Sequence, residues 1–232
     1  MKQLAKISGV SYLLIFLAGF YANFAVLESL IDSNSTANTT TNFINNHSQL
    51  GRGLFGFVVM LLFDVLLIWS LFGITKAVSK KLSYVASFFR LLHALFFCAA
   101  LFKLWEGYQI TADAVISSDL QVRVSELLLG FDTLWTIGLL FFGIHLIVLG
   151  YLTVKSIAIP KAIGILLVFS AIGYVIDGLA KLYLPNYMEH KDVFEMIVIL
   201  PSVLGEFSFT IWLLIKGFNK QTQTSDKHLT KV

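Results

Sequence analysis

Six apolar runs, each of about 20 residues or more, follow one another along this chain with only short polar connections between them. A hydrocarbon core is about 30 Å thick, and a helix rising 1.5 Å per residue needs about 20 apolar residues to cross it. No water reaches the backbone at that depth, so each run must satisfy its own N–H and C=O groups. Helices do this and open strands do not. The runs predict spans at residues 7–30, 53–74, 84–108, 127–154, 162–184 and 193–215. The fold class expected is therefore all-α: a polytopic membrane protein with six transmembrane helices.

Composition agrees. Of 232 residues, 57% are hydrophobic and 13% charged, against roughly 45–50% and 25% in soluble domains. Residues 1–217 make one six-span domain with no room for a separate soluble one, and residues 218–232 are expected to be a polar, disordered cytoplasmic tail. The first run far exceeds the roughly 7–15 apolar residues of a secretory signal and has no A-x-A site after it, so it reads as an uncleaved span. The polar stretch 31–49 reads as a loop. Cys98 is the single cysteine, which excludes an intrachain disulfide and a thiolate cluster.

The net charge of +3 is spread as small basic groups between apolar runs, which set orientation and do not point to nucleic acid. One side of the chain collects Lys2, Lys6, Lys76, Lys80, Lys81, Lys155, Lys161, Lys216, Lys220, Lys227 and Lys231. The opposite connections hold Arg52, Arg123 and Lys191, with Lys103 and Lys181 near span ends. The excess of Lys and Arg on cytoplasmic loops places both termini in the cytoplasm.

Five ionisable residues interrupt the apolar runs: Asp64, Arg90, His93, His145 and Glu206. A charge near the bilayer centre costs several kcal/mol unless it is paired or faces a protein-lined cavity. Counted from the basic end of each span, all five lie roughly 12–18 Å deep, near the midplane. Arg90 and His93, three apart, share a helix face, as do Ser202 and Glu206, four apart. Together the five form a candidate ligand-binding layer contributed by four helices. A second, outer polar group holds Glu106, Asp132, Tyr174, Asp177 and Lys181, in which Asp177 and Lys181 are spaced for an ion pair within one helix. Pro201 removes a backbone donor beside Ser202 and predicts a local break in the sixth span.

Three functions compete for this layer. Midplane sites of polar residues on several helices are how transporters hold substrates. Binding or transport of a small polar or amphipathic ligand would use Glu206 or Asp64 as a proton-coupling group and Arg90 as an anion partner. Six spans are few for alternating access, which favours a homo-oligomer. An enzyme would instead use His93 and His145 as axial haem ligands, or these two with Asp64 and Glu206 as a metal site acting on a lipid. In a structural or regulatory subunit the layer would only fix packing. The chain has no phosphate-binding glycine loop, HExxH, GxSxG or CxxC, so neither a cofactor nor a reaction is specified. Membrane lipid is the one partner the composition implies.

Several stretches carry a resemblance. They include Ile7-Ser8-Gly9 through Ala18-Gly19-Phe20, Leu62-Phe63-Asp64-Val65 and Phe89-Arg90-Leu91. Phe142-Gly143-Ile144-His145 through Leu149-Gly150-Tyr151-Leu152 and Ile159-Pro160-Lys161 through Gly173-Tyr174-Val175-Ile176-Asp177 continue it. Pro201 through Gly205-Glu206, and Leu213-Leu214-Ile215-Lys216-Gly217, complete it. In these the chain resembles a bacterial family of small six-helix membrane proteins known only as a domain of unknown function. The resemblance implies six spans and a bacterial plasma (inner) membrane, and brings no activity. His93 is not among the residues that carry it.

Overall fold

Short polar residues set where several helices begin. Ser79 and Ser117 each turn a side-chain oxygen onto the backbone N–H three residues on, at Leu82 (3.4 Å) and Leu120 (3.2 Å). Such caps satisfy donors that the first helical turn leaves without partners. The computed structural model describes residues 1–219, so all but the first two positions of the expected tail lie outside the described residues.

Seven α-helices result among the described residues. The six long ones are α1 (Lys2–Leu30), α3 (His47–Thr75), α4 (Lys80–Ile110), α5 (Ser118–Lys155), α6 (Lys161–Tyr183) and α7 (Lys191–Phe218). Each is long and apolar enough to cross a membrane, which makes the chain a polytopic membrane protein. Several run beyond the apolar stretches because a capped helix continues through its polar end. The clearest case is α5, which starts at Ser118 and not near Leu127. Within α1, residues Tyr21–Leu27 widen into a π-helical stretch.

Two expectations fail locally. The stretch read as a loop holds a further helix, α2 (Thr36–Asn45), capped by Ser35, whose oxygen accepts from Asn38 N at 3.2 Å. Thr39, Thr40 and Phe43 fall on one side of it and are buried, a three-to-four spacing that a polar composition hides. In the turn before α2, the Asn38 side-chain amide, helped by Asn34 N–H, holds the exposed Asp32 carboxyl below its ordinary carboxylate range. The sixth span also does not break: α7 is continuous through Pro201. The proline removes the N–H that would bond Ile197 O. That carbonyl instead lies against Gly173 of α6, where an added Cβ would come within 2.5 Å of it.

Each long helix packs on its neighbour in the chain, and α7 closes on α1, so the six form a ring. Small residues let the helices approach. A Cβ on Gly217 would meet the Lys6 backbone where α7 closes on α1, and Gly205 and Gly173 do the same work between α6 and α7. The tightest approach between α5 and α6 is Gly150 on Gly164. One apolar cluster, including Ile74, Leu146, Leu167 and Leu213, fills the end that carries the start of α1 and the end of α7. A second, including Phe43, Phe57, Phe97 and Leu104, fills the other. The polar layer lies where the two meet.

A Cβ added at Gly164 would lie 2.6 Å from Gly150 O and 2.8 Å from Val154 N, both backbone atoms that cannot step aside. G164A should therefore destabilise by about 1–3 kcal/mol. At Gly107 nothing lies within 4 Å of the added carbon, so G107A should be neutral or stabilise by about 0.5–1 kcal/mol. Thermal unfolding of the two variants side by side in detergent checks the pair.

Candidate functional site

Arg90 is the centre of the layer and is 1% exposed. Its Nη2 donates to Asp64 Oδ1 on α3 at 2.5 Å, and Nε to the Asp64 carbonyl at 3.4 Å. Nη1 donates to Tyr12 OH on α1 at 3.2 Å and to His145 Nε2 on α5 at 3.1 Å. Two aromatic rings approach the guanidinium, with Cζ 5.3 Å from the Tyr12 ring centre and 5.4 Å from that of Phe142. Four of its five N–H groups thus have partners and two aromatic rings lie within cation–π reach, as suits a buried guanidinium.

This geometry fixes the form of His145. An arginine only donates, so His145 Nε2 must accept and Nδ1 must carry the hydrogen. Nδ1 accordingly donates to Ala86 O at 2.8 Å. Both ring nitrogens are committed, and the imidazole is neutral in this arrangement. His93 stands a turn further along α4, its Nε2 3.9 Å from Asp64 Oδ2, too long for a hydrogen bond. Asp64 Oδ2 and His93 Nδ1 are buried without hydrogen-bond partners.

The other half of the layer lies between α6 and α7. Tyr174 OH donates to Glu206 Oε1 at 3.0 Å. Ser202, a turn earlier, donates to Val198 O at 2.7 Å, and Ser170 of α6 donates to the Pro201 carbonyl at 2.7 Å. Glu206 is buried, and among the described residues no cation lies within salt-bridge distance of it. The Phe142 ring separates the halves. It stands 5.2 Å from the Tyr174 ring, edge to face, and 5.8 Å from that of His145.

All five predicted residues are buried, but they divide. Asp64, Arg90, His93 and His145 gather, whereas Glu206 meets Tyr174 and makes no ion pair with Arg90. Tyr12 is the member that sequence reasoning missed. Counted from Lys2 it lies about ten residues in, at the depth of Glu206, and with Ser8 it forms a polar stripe four residues apart. Depth counting restricted to charged residues and histidine passes over it. With Tyr12 and Tyr174 included, every one of the six spans supplies a polar side chain to the layer.

The outer polar group does not form as predicted. Lys181 pairs with Asp132 across α5 and α6 at 2.5 Å and not with Asp177, which accepts from Tyr187 OH at 2.8 Å. Glu106 pairs with Arg123, and Tyr174 belongs to the midplane. The reason is reach: a long side chain at a helix–helix seam finds acceptors on the facing helix, which spacing along one helix does not register. Beside Arg90 and His145 the cavity is about 10 Å³, room for no more than one water.

The haem and metal alternatives do not fit these residues. A histidine ligates through a nitrogen lone pair, and that of His145 is engaged by Arg90. Among the described residues no three His, Cys, Asp or Glu side chains gather as ligands.

The fold and layer define a six-span helical membrane protein with a polar centre drawn from every span. A family model described as a domain of unknown function, DUF4386, matches residues 7–217, and the chain belongs to that family. An uncharacterized protein of the archaeon Archaeoglobus fulgidus is 29% identical over 175 residues, covering 75% of this chain and 90% of that protein. That relative is archaeal, and a bacterial source is not shown. No solved structure matches the chain.

Removing one partner of a buried ion pair strands the other. R90A should lower stability by about 3–5 kcal/mol, and the double change R90M/D64L should recover most of that loss. Unfolding of both variants in detergent tests whether the pair is as dry as the geometry makes it.

Proposed function

We propose that the protein sits in the plasma membrane with both termini cytoplasmic, and that it binds or carries a small polar or amphipathic ligand by way of the polar layer. The observation that carries this is the pair of buried atoms without hydrogen-bond partners, Asp64 Oδ2 and His93 Nδ1, beside the Arg90 network. A polar core kept only for packing gains most when every member is satisfied. An empty carboxylate oxygen attracts a donor: water, a proton carried by water, or an N–H or O–H of a ligand. Glu206 serves as the proton-coupling acid, because it is buried beside a tyrosine with no cation of its own among the described residues. Arg90 and His145 hold Asp64 in place, and adjacent helices part to admit anything larger than water. The lysine excess on the face that holds the start of α1 and the end of α7 supports the orientation.

A thermal-shift screen of small polar and amphipathic compounds at two pH values tests the ligand. At saturating concentration at least one should raise Tm by several degrees, as occupancy 100-fold above Kd adds about 2.7 kcal/mol. H93F, which keeps the ring packing, and E206Q should fold and lose the shift. If no compound moves Tm, or both variants respond like the wild type, the layer does not bind ligand. For orientation, reporters fused to either terminus should be active only on the cytoplasmic side, and activity outside would reverse the assignment.

A further inference from the structure

We propose a second binding site, independent of the midplane layer: the hollow between the start of α1 and the end of α7 holds the phosphate head group of an anionic phospholipid. This cavity, of about 330 Å³, lies between the start of α1 and the end of α7, and Lys2, Lys216, Trp212, Ala5, Ile74 and Asn219 are among its lining. Its size is at the lower end of small-molecule sites, about 300–1,000 Å³.

Chemistry divides it into two parts. Ala5 and Ile74 are buried members of the apolar cluster beneath and form a greasy floor. Trp212 is held by stacking on Phe209, ring centres 6.2 Å apart and planes 6° from parallel. Its indole N–H donates to no protein group among the described residues, which leaves an interfacial donor with an apolar body. Lys2 and Lys216 supply the charge, and neither has an acidic partner within ion-pair distance among the described residues.

The wider face explains why the occupant is anionic. Lys2, Lys6, Lys76, Lys80, Lys81, Lys155, Lys161 and Lys216 all sit at the helix ends on this side, and no Asp or Glu accompanies them among the described residues. On the opposite side Arg123, Lys181 and Lys191 each meet an acid. Orientation alone needs lysines, not a face without counter-charge around a cavity. Uncompensated lysines at a membrane surface attract anionic lipids. Inorganic phosphate would satisfy the lysines but leave the Ala5–Ile74 floor bare. A lipid puts its phosphate on Lys2 and Lys216 and its glycerol and first acyl carbons on that floor.

Native mass spectrometry of delipidated, full-length protein tests this with dioctanoyl phosphatidylglycerol, dioctanoyl phosphatidylcholine and inorganic phosphate as probes. Phosphatidylglycerol should bind saturably, at least tenfold more tightly than phosphatidylcholine, and inorganic phosphate should neither bind nor compete. K2Q/K216Q should lose tenfold or more of that affinity, since each lysine near an anionic surface contributes appreciably. K80Q/K81Q, on the same face but outside the cavity, should keep it. Unfolding temperature without lipid shows that both variants are folded. Equal binding of the two lipids, wild-type affinity in K2Q/K216Q, an equal loss in K80Q/K81Q, or competition by inorganic phosphate would each overturn the proposal.

Discussion

A guanidinium in the middle of a hydrocarbon layer is tolerable only when its hydrogens have acceptors and its charge has an opposite close by. Arg90 meets both conditions through Asp64, Tyr12 and His145, and these contacts tie four of the six spans to one point. Asp64 accepts through both its side chain and its carbonyl, so the α3–α4 register is fixed in rotation as well as depth. Tyr12 and His145 then bring α1 and α5 to the same level. The rest of the ring packs around this centre, with apolar clusters above and below it.

Lipid gives helices no hydrophobic reason to associate, so contact must come from close packing and internal polar bonds. Glycines at the seams supply the first. Gly150 against Gly164, and Gly173 against the carbonyl that Pro201 frees, bring backbones nearly into contact. The second comes from bonds such as Ser8 to Ser70 at 2.8 Å between α1 and α3, and Ser170 to the Pro201 carbonyl between α6 and α7. Proline and glycine are here one device: an unbonded carbonyl is accommodated because the residue opposite has no side chain.

The two ends of the bundle solve opposite electrostatic problems. At the end holding α2, the bases Arg123, Lys181 and Lys191 meet acids, and acids outnumber bases there. At the other end the lysines stand apart from acids, and what balances them comes from outside the described chain. Between these ends lie the two apolar clusters, with the layer around Arg90 and Glu206 where they meet.

How much of this was legible in the sequence depends on the range of the interaction. Six spans follow from run length alone, because the backbone in lipid has no other way to satisfy itself. The depth of Asp64, Arg90, His93, His145 and Glu206 follows from a constant rise per residue. Pairings were not legible: that Arg90 takes Asp64 and leaves Glu206 to Tyr174, that Lys181 crosses to Asp132, and that Tyr12 joins the centre all depend on which faces the ring turns inward. Helix α2 was hidden because a short interfacial helix buries only one face under polar residues. Length and depth run along one helix and are written in its own residues. Which charge meets which, and how little space remains between them, is decided by six rotations about six axes, set only when the helices pack together.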